Sequence, residues 1–288
     1  YLRALKVLEQ GDKETVDPAR RLLTVKTALS KDLTDKGAPH DAVESFLGEM
    51  PDRYFFITPE PDMVVHFELM RALGEQSLVS RVRHYPDREF SEYIVVTRDQ
   101  PGLFSMIAGA LTANNLNILS ARISTRTNGI AIDTFRVSHA GTGAAMAMEE
   151  DRWHRVEQDL ERIISGKQDI AQLVAAAHHV RAAGKKFSRR VATEVTVDNR
   201  TSEEFTVIDV FTQDRVGLLF AITHTFHMLG LLIHLARIST NADQALDVFY
   251  VSDRNGQKIT DIERMRELRT ILTERIDERT APGEEVHA

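Results

Sequence analysis

The sequence predicts an α+β protein: a mostly helical segment over residues 1–88, followed by two tandem βαββαβ units over 89–200 and 201–288. Three observations carry that expectation. β-branched and aromatic runs alternate with stretches whose apolar residues recur at helical spacing. Turn signals such as Asn128-Gly129 join strands in pairs. Finally, Arg98–Thr125 returns as Gln213–Thr240: between Asp99–Thr125 and Asp214–Thr240, 11 of 27 residues are identical at an offset of 115. Unrelated segments would share roughly one or two.

The elements follow in order. Leu22, Val25, Leu29 and Leu33 mark a first helix, and Val43, Phe46 and Leu47 a second beyond "KGAPHD". "MPDRYFFITPEPD" reads as a proline-punctuated turn over Tyr54–Pro61, with a helix from about Asp62. The first repeat is a strand at Glu92–Thr97, a helix carrying Leu103, Ile107 and Leu111 that stops at Asn114-Asn115, and strands at Leu116–Thr125 and Ile130–Ser138. A charged helix from about Glu149 continues to about Ala183, and "TEVTVD" at Thr193–Asp198 supplies a fourth strand, which completes a ferredoxin-like unit. The second repeat has strands at Phe205–Phe211, Leu231–Thr240 and Gln244–Ser252, helices at Gly217–Leu229 and Ile262–Arg279, and no fourth strand. The offset slips to 114 across its hairpin, where a deletion is tolerated.

Composition narrows the function. At 42% apolar and 27% charged residues the chain matches an ordinary globular protein, and no apolar run approaches the ~18 residues that span a bilayer. The absence of cysteine removes disulfides, thiol nucleophiles and thiolate metal sites, and fits a cytoplasmic location. A net charge of −7 opposes attraction to phosphate backbones, so nucleic acid is not an expected partner. The chain starts at Tyr1 in helix-like sequence, which reads as part of a longer protein.

Both copies carry Asp-x-x-Gly-Leu where a strand hands over to a helix: Asp99, Gly102, Leu103, and Asp214, Gly217, Leu218. A helix's first turn exposes unpaired N–H groups with partial positive charge, and glycine removes the Cβ that would keep a small carboxylate away. An aspartate at the rim can accept hydrogen bonds from an ammonium group. The motif therefore suits a free amino acid, but taken alone it fits better an aspartate that caps the helix and a glycine that permits the turn. Arg122 and Arg237 alternate with apolar neighbours and belong to the opposite sheet face, either between copies or in solvent. His40-Asp41 reads as a helix cap, the adjacent His178 and His179 point to different parts of a helix surface, and the pair His224 and His227 lacks a third metal ligand. "KKFSRR", Lys185–Arg190, reads as a solvated basic linker. No motif for a nucleotidyltransfer metal site or a metal-dependent hydrolase occurs, so no residue is assigned a catalytic or metal-binding role.

Strand, "D-x-x-G-L", helix, "L-N-I", "A-R-I-S-T", hairpin and "D-x-F-x-V" together resemble the ACT domain, a regulatory fold that binds amino acids. The tandem, over about Phe90–Asp277, is similar to the C-terminal regulatory region of bifunctional uridylyltransferase/uridylyl-removing enzymes acting on the nitrogen-signalling protein PII. That resemblance implies a glutamine sensor that favours uridylyl removal, coupled to upstream catalytic domains that use Mg, with PII as protein partner and homodimers as an option. No cofactor is implied for this segment itself. Ligand contacts would fall to Asp99, Gly102, Leu103 and Asn117 in the first copy and to Asp214, Gly217 and Leu218 in the second. Leu232 stands where the first copy has Asn117 and offers no amide, which counts against ligand in the second copy; Asn117 reads equally as a strand-start residue. The alternatives are a ligand-free ACT module for dimerisation or PII docking, and an ACT pair serving an amino-acid biosynthetic enzyme.

Overall fold

The structure, a computed structural model, describes residues 17–139, 150–179, 191–241 and 244–278. The helix start expected at Glu149, the helix beyond His179, the basic stretch Lys185–Arg190, the helix end at Arg279 and the side chains of His178 and His179 lie outside what is described. The chain divides into two compact units, Tyr1–Glu68 and Leu69–Ala288. No described helix is long and apolar enough to cross a membrane.

The first unit is helical. Pro18 opens α1 (Pro18–Asp35) at a position with no intrahelical N–H partner, and the Asp17 side chain accepts a hydrogen bond from the Ala19 amide. In α2 (His40–Glu49) Pro39 is the cap residue, so His40 and Asp41 lie inside the helix and cap nothing; Asp41 instead places negative charge by the positive helix end. The turn expected around Tyr54 is a short helix, α3 (Asp52–Ile57), because Tyr54 and Phe55 need one face to bury. The next helix, α4 (Glu60–Leu73), begins two residues before the expected Asp62. Phe46 meets both Tyr54 and Phe67 edge-on, and the Tyr54 hydroxyl bonds His66 Nδ1 at 2.9 Å.

The second unit holds two antiparallel sheets of the same design. The first contains β1 (Leu78–Tyr85), β2 (Phe90–Arg98), β3 (Leu116–Thr125) and β4 (Ile130–His139) in the order β1-β2-β4-β3. Helices α5 (Leu103–Ala113), α6 (Glu150–Ile164) and α7 (Ile170–His179) accompany it. The second contains β5 (Glu194–Asp198), β6 (Thr206–Gln213), β7 (Leu232–Arg237) and β9 (Gln244–Ser252) in the order β5-β6-β9-β7, with the two-residue β8 (Thr240–Asn241) also paired to β9. Helices α8 (Leu218–Met228) and α9 (Ile262–Glu278) complete it.

The α+β class and the tandem repeat stand, but one strand in each copy differs from the expected order. Thr193–Asp198 does not close the first copy: β5 pairs antiparallel with β6, Val195 opposite Val210, and so leads the second copy. The first copy's edge is β1, a strand the alternation rule does not show, paired with β2 through Val82 opposite Tyr93. Its inward positions include Ser80 and His84, which bond Glu157 and Ser91, so its inner face does not read as apolar. Both edges thus come from a local hairpin rather than from a distant return of the chain, which lowers the loop-closure cost. The second copy is not short of a strand.

Arg122 stands on the outer face of the first sheet. Glu92, 2% exposed, is ringed there by Arg83, Arg136 (3.2 Å) and Arg122 (3.7 Å), all from its own copy. Leu78 and Phe135 of the first copy and Phe220 and Ile276 of the second belong to one continuous apolar core. At its centre α5 packs on α8, and the edge strands β3 and β7 run close together. Gly109 lets α5 lie close to both α7 and α8: a Cβ there would sit 2.4 Å from Ile170 of α7 and 3.0 Å from Phe220 of α8.

Candidate functional site between the repeated turns

Each Asp-x-x-Gly-Leu turn is built alike. Gly102 and Gly217 both have φ +82, a left-handed conformation that disfavours any Cβ, and each is the N-cap of its helix with no side-chain cap bond. The aspartates therefore do not cap α5 or α8. After Gly217 the Leu218 N–H bonds the Arg215 carbonyl at 3.1 Å, and no side-chain oxygen of the cap meets the N–H groups that follow, which carry the positive end of the helix.

Asp214 is instead approached from the other copy. Asn117 on β3 donates from Nδ2 to Asp214 Oδ2 at 3.4 Å, so the amide of the first copy completes the turn of the second. A register shift between Ile118 and Ser120 follows directly, and the same irregularity recurs between Ile233 and Leu235. Such bulges re-aim neighbouring side chains. Around Asp214 lies a hollow of about 310 Å³ counted with its open mouth, lined by Thr112, Asn117, Arg215, Gly217, Leu218 and Asp247 among others. Its enclosed part is water-sized.

The predicted residues thus separate into two groups. Asn117, Asp214, Gly217 and Leu218 share the hollow, although Asn117 was assigned to the first copy's site. Asp99, Gly102 and Leu103 belong to the equivalent turn elsewhere, where Asp99 is exposed and an ideal Cβ on Gly102 would lie 2.8 Å from His227 Nδ1. At the second turn an amide comes from Asn117 of the first copy, whereas Leu232 of its own copy offers none.

Sequence reasoning missed Asp247. It is 1% exposed, lines the hollow, and accepts from the Ser239 N–H at 3.4 Å. Burial pushes its carboxyl up to about 8, with the charge of Asp214 adding to the rise and the Ser239 N–H opposing it. Asp133 is its counterpart in the first copy, raised well above the ordinary range by burial and by Asp99. Asp214 is also raised by burial, an effect that the Asn117 amide and Arg215 oppose. A signal was present: Asp133 and Asp247 occupy inward positions in strands whose inward neighbours are Ala131 and Phe135, and Ala245 and Phe249. The hollow therefore offers carboxylates for an ammonium group, a helix N-terminus for a carboxylate and an amide from the facing copy.

Known proteins agree with this architecture. The ACT domain family matches residues 94–147, and the ACR9-like, ACT-like domain matches residues 194–279, a span that begins with β5. The bifunctional uridylyltransferase/uridylyl-removing enzyme of Gluconobacter oxydans (strain 621H) is 32% identical over 274 residues, covering 94% of this chain and 28% of the enzyme. The enzyme of the same description from Azospirillum brasilense is 34% identical over 276 residues, covering 94% of this chain and 29% of its own length. That of Bradyrhizobium sp. (strain BTAi1 / ATCC BAA-1182) is 31% identical over 277 residues, again 94% of this chain and 29% of the relative. The chain spans less than a third of the length of these relatives.

Proposed function

We infer, for a chain that belongs to the ACT-domain family as a tandem region homologous to part of the bifunctional uridylyltransferase/uridylyl-removing enzymes, that it senses an amino acid, glutamine, and thereby regulates such an enzyme. The observation that carries the reading is the Asn117–Asp214 contact, which joins the two copies at an uncapped helix N-terminus beside a buried carboxylate. The ligand's ammonium group goes to Asp214 and Asp247, and its carboxylate to the first-turn amides of α8 and to Arg215. Because the enclosed space is water-sized, an amino acid enters only when β3 and the α8 turn part. Liganded and ligand-free chains then differ in how the copies meet, which is the differential affinity a switch requires.

In a full-length enzyme of this family the liganded pair favours removal of uridylyl groups from PII over their addition, with Mg serving the catalytic domains upstream. Calorimetric titration of the purified chain tests the reading. Glutamine gives saturable heat at millimolar concentration or below, and glutamate and asparagine bind more weakly. No heat from glutamine with saturable heat from another amino acid points to a biosynthetic effector. No heat from any amino acid leaves the ACT pair as an interaction module.

A further inference from the structure

The two turns are equivalent in sequence and conformation but not in what faces them. At an offset of 115, Thr112 corresponds to His227 and Asn117 to Leu232. Thr112 and Asn117 of the first copy line the hollow at Gly217, and His227 of the second copy lies against Gly102, so the pairing follows a pseudo-two-fold relation between copies. By that relation Leu232 takes the place facing the first turn that Asn117 takes at the second. A Cβ on Gly102 would be 2.8, 2.9 and 3.0 Å from three ring atoms of His227, which means that the imidazole covers the bare face of the glycine. That face is the one a ligand backbone needs.

The geometry points to a single amino-acid site per chain, the one at Gly217, with His227 acting as a built-in occupant that closes the equivalent turn at Gly102. This assignment rests on the amino-acid reading of the hollow. His227 is thus a determinant of stoichiometry and does not serve as a metal ligand or as a contact to the effector. The smaller Thr112, 2% exposed with its hydroxyl bonded to the Ala108 carbonyl at 2.7 Å, lines the hollow at the second turn. Its larger counterpart fills the first. One site also means that the ligand links the copies on one side of their pseudo-two-fold only, drawing on Asn117 from the first and on Asp214 and Asp247 from the second.

Titration with glutamine, with melting curves as a check on folding, tests the assignment. The unaltered chain binds one equivalent. Thr112→His transplants the occupant to the second turn and abolishes binding. Asn117→Leu, a milder change that copies Leu232, weakens binding by about tenfold, the effect of losing one hydrogen bond to a charged partner. The double variant His227→Thr, Leu232→Asn gives the first turn the residues of the second and binds two equivalents. Two equivalents in the unaltered chain, or full affinity in both Thr112→His and Asn117→Leu, overturn the assignment and leave amino-acid sensing intact. A double variant that folds and still binds one equivalent overturns the role of His227. A complete lack of binding by the unaltered chain overturns the sensing reading and this one with it.

Discussion

Asp247 is the residue of the hollow whose response to pH can be followed most plainly. Its carboxyl is ordinarily half-ionised near 3.8 and is pushed up to about 8 in the folded chain. Between those values the unfolded chain releases a proton that the folded chain keeps, so folding weakens as pH rises through this window and the loss is complete above it. Below the window both states are protonated and the penalty vanishes. Asp247→Asn keeps an acceptor for the Ser239 N–H and carries no charge. It should raise the melting temperature by several degrees at pH 8.5 and by little near pH 4, as thermal melts at the two values would read. A second consequence concerns the ligand: an ammonium group entering the hollow stabilises ionised Asp247, so glutamine binding at pH 7 should release up to about one proton. Titration in buffers of different ionisation enthalpy measures that number, and a value of zero would remove Asp247 from the ammonium site. At this scale the sequence was partly legible. Asp214 and Gly217 stand out through their repeated motif, whereas Asp247 shows only as a charge at an apolar register position.

At the level of elements, the close packing of α5 against α7 and α8 depends on Gly109. A helix-interior glycine normally costs about 1 kcal/mol relative to alanine, so on an isolated helix Gly109→Ala would stabilise. Here the added methyl group meets Ile170 and Phe220 at 2.4 and 3.0 Å, and overpacking of this kind costs roughly 1 to 3 kcal/mol. The larger effect decides the sign: Gly109→Ala should lower stability in urea unfolding, by about 1 kcal/mol net, and loosen glutamine binding, since the hollow straddles the same contact. The helices were legible from their spacing and the central strands from their β-branched runs. The edge strand β1 was not, because Arg81 and Arg83 alternate with Ser80, Val82 and His84, and inward polar residues satisfied by tertiary hydrogen bonds look like loop sequence.

On the scale of the whole molecule, the two copies of the second unit share one apolar core, so they should unfold together. A fragment of residues 69–288 is expected to show a single transition in urea, coincident by circular dichroism and by Trp153 fluorescence. Trp153 is a suitable reporter because it stacks on Tyr93 within that core, with ring centroids 5.7 Å apart. Two separated transitions would mean that each copy folds alone. A fragment beginning at Thr201 lacks β5, which leaves β6 as an unpaired sheet edge and removes a packing partner of α9. It should aggregate, whereas one beginning at Val191 together with its partner copy should not.

The sequence by itself determined the α+β class, the duplication, the glycine turns and the residue types suited to an amino acid, because each depends on local periodicity or on a motif a few residues long. Only the tertiary structure decided which copy each edge strand serves, that Asn117 reaches the turn of the other copy, and that His227 lies against Gly102. These are pairings between segments far apart in the chain. They follow from how two similar surfaces pack against each other, which no local pattern encodes.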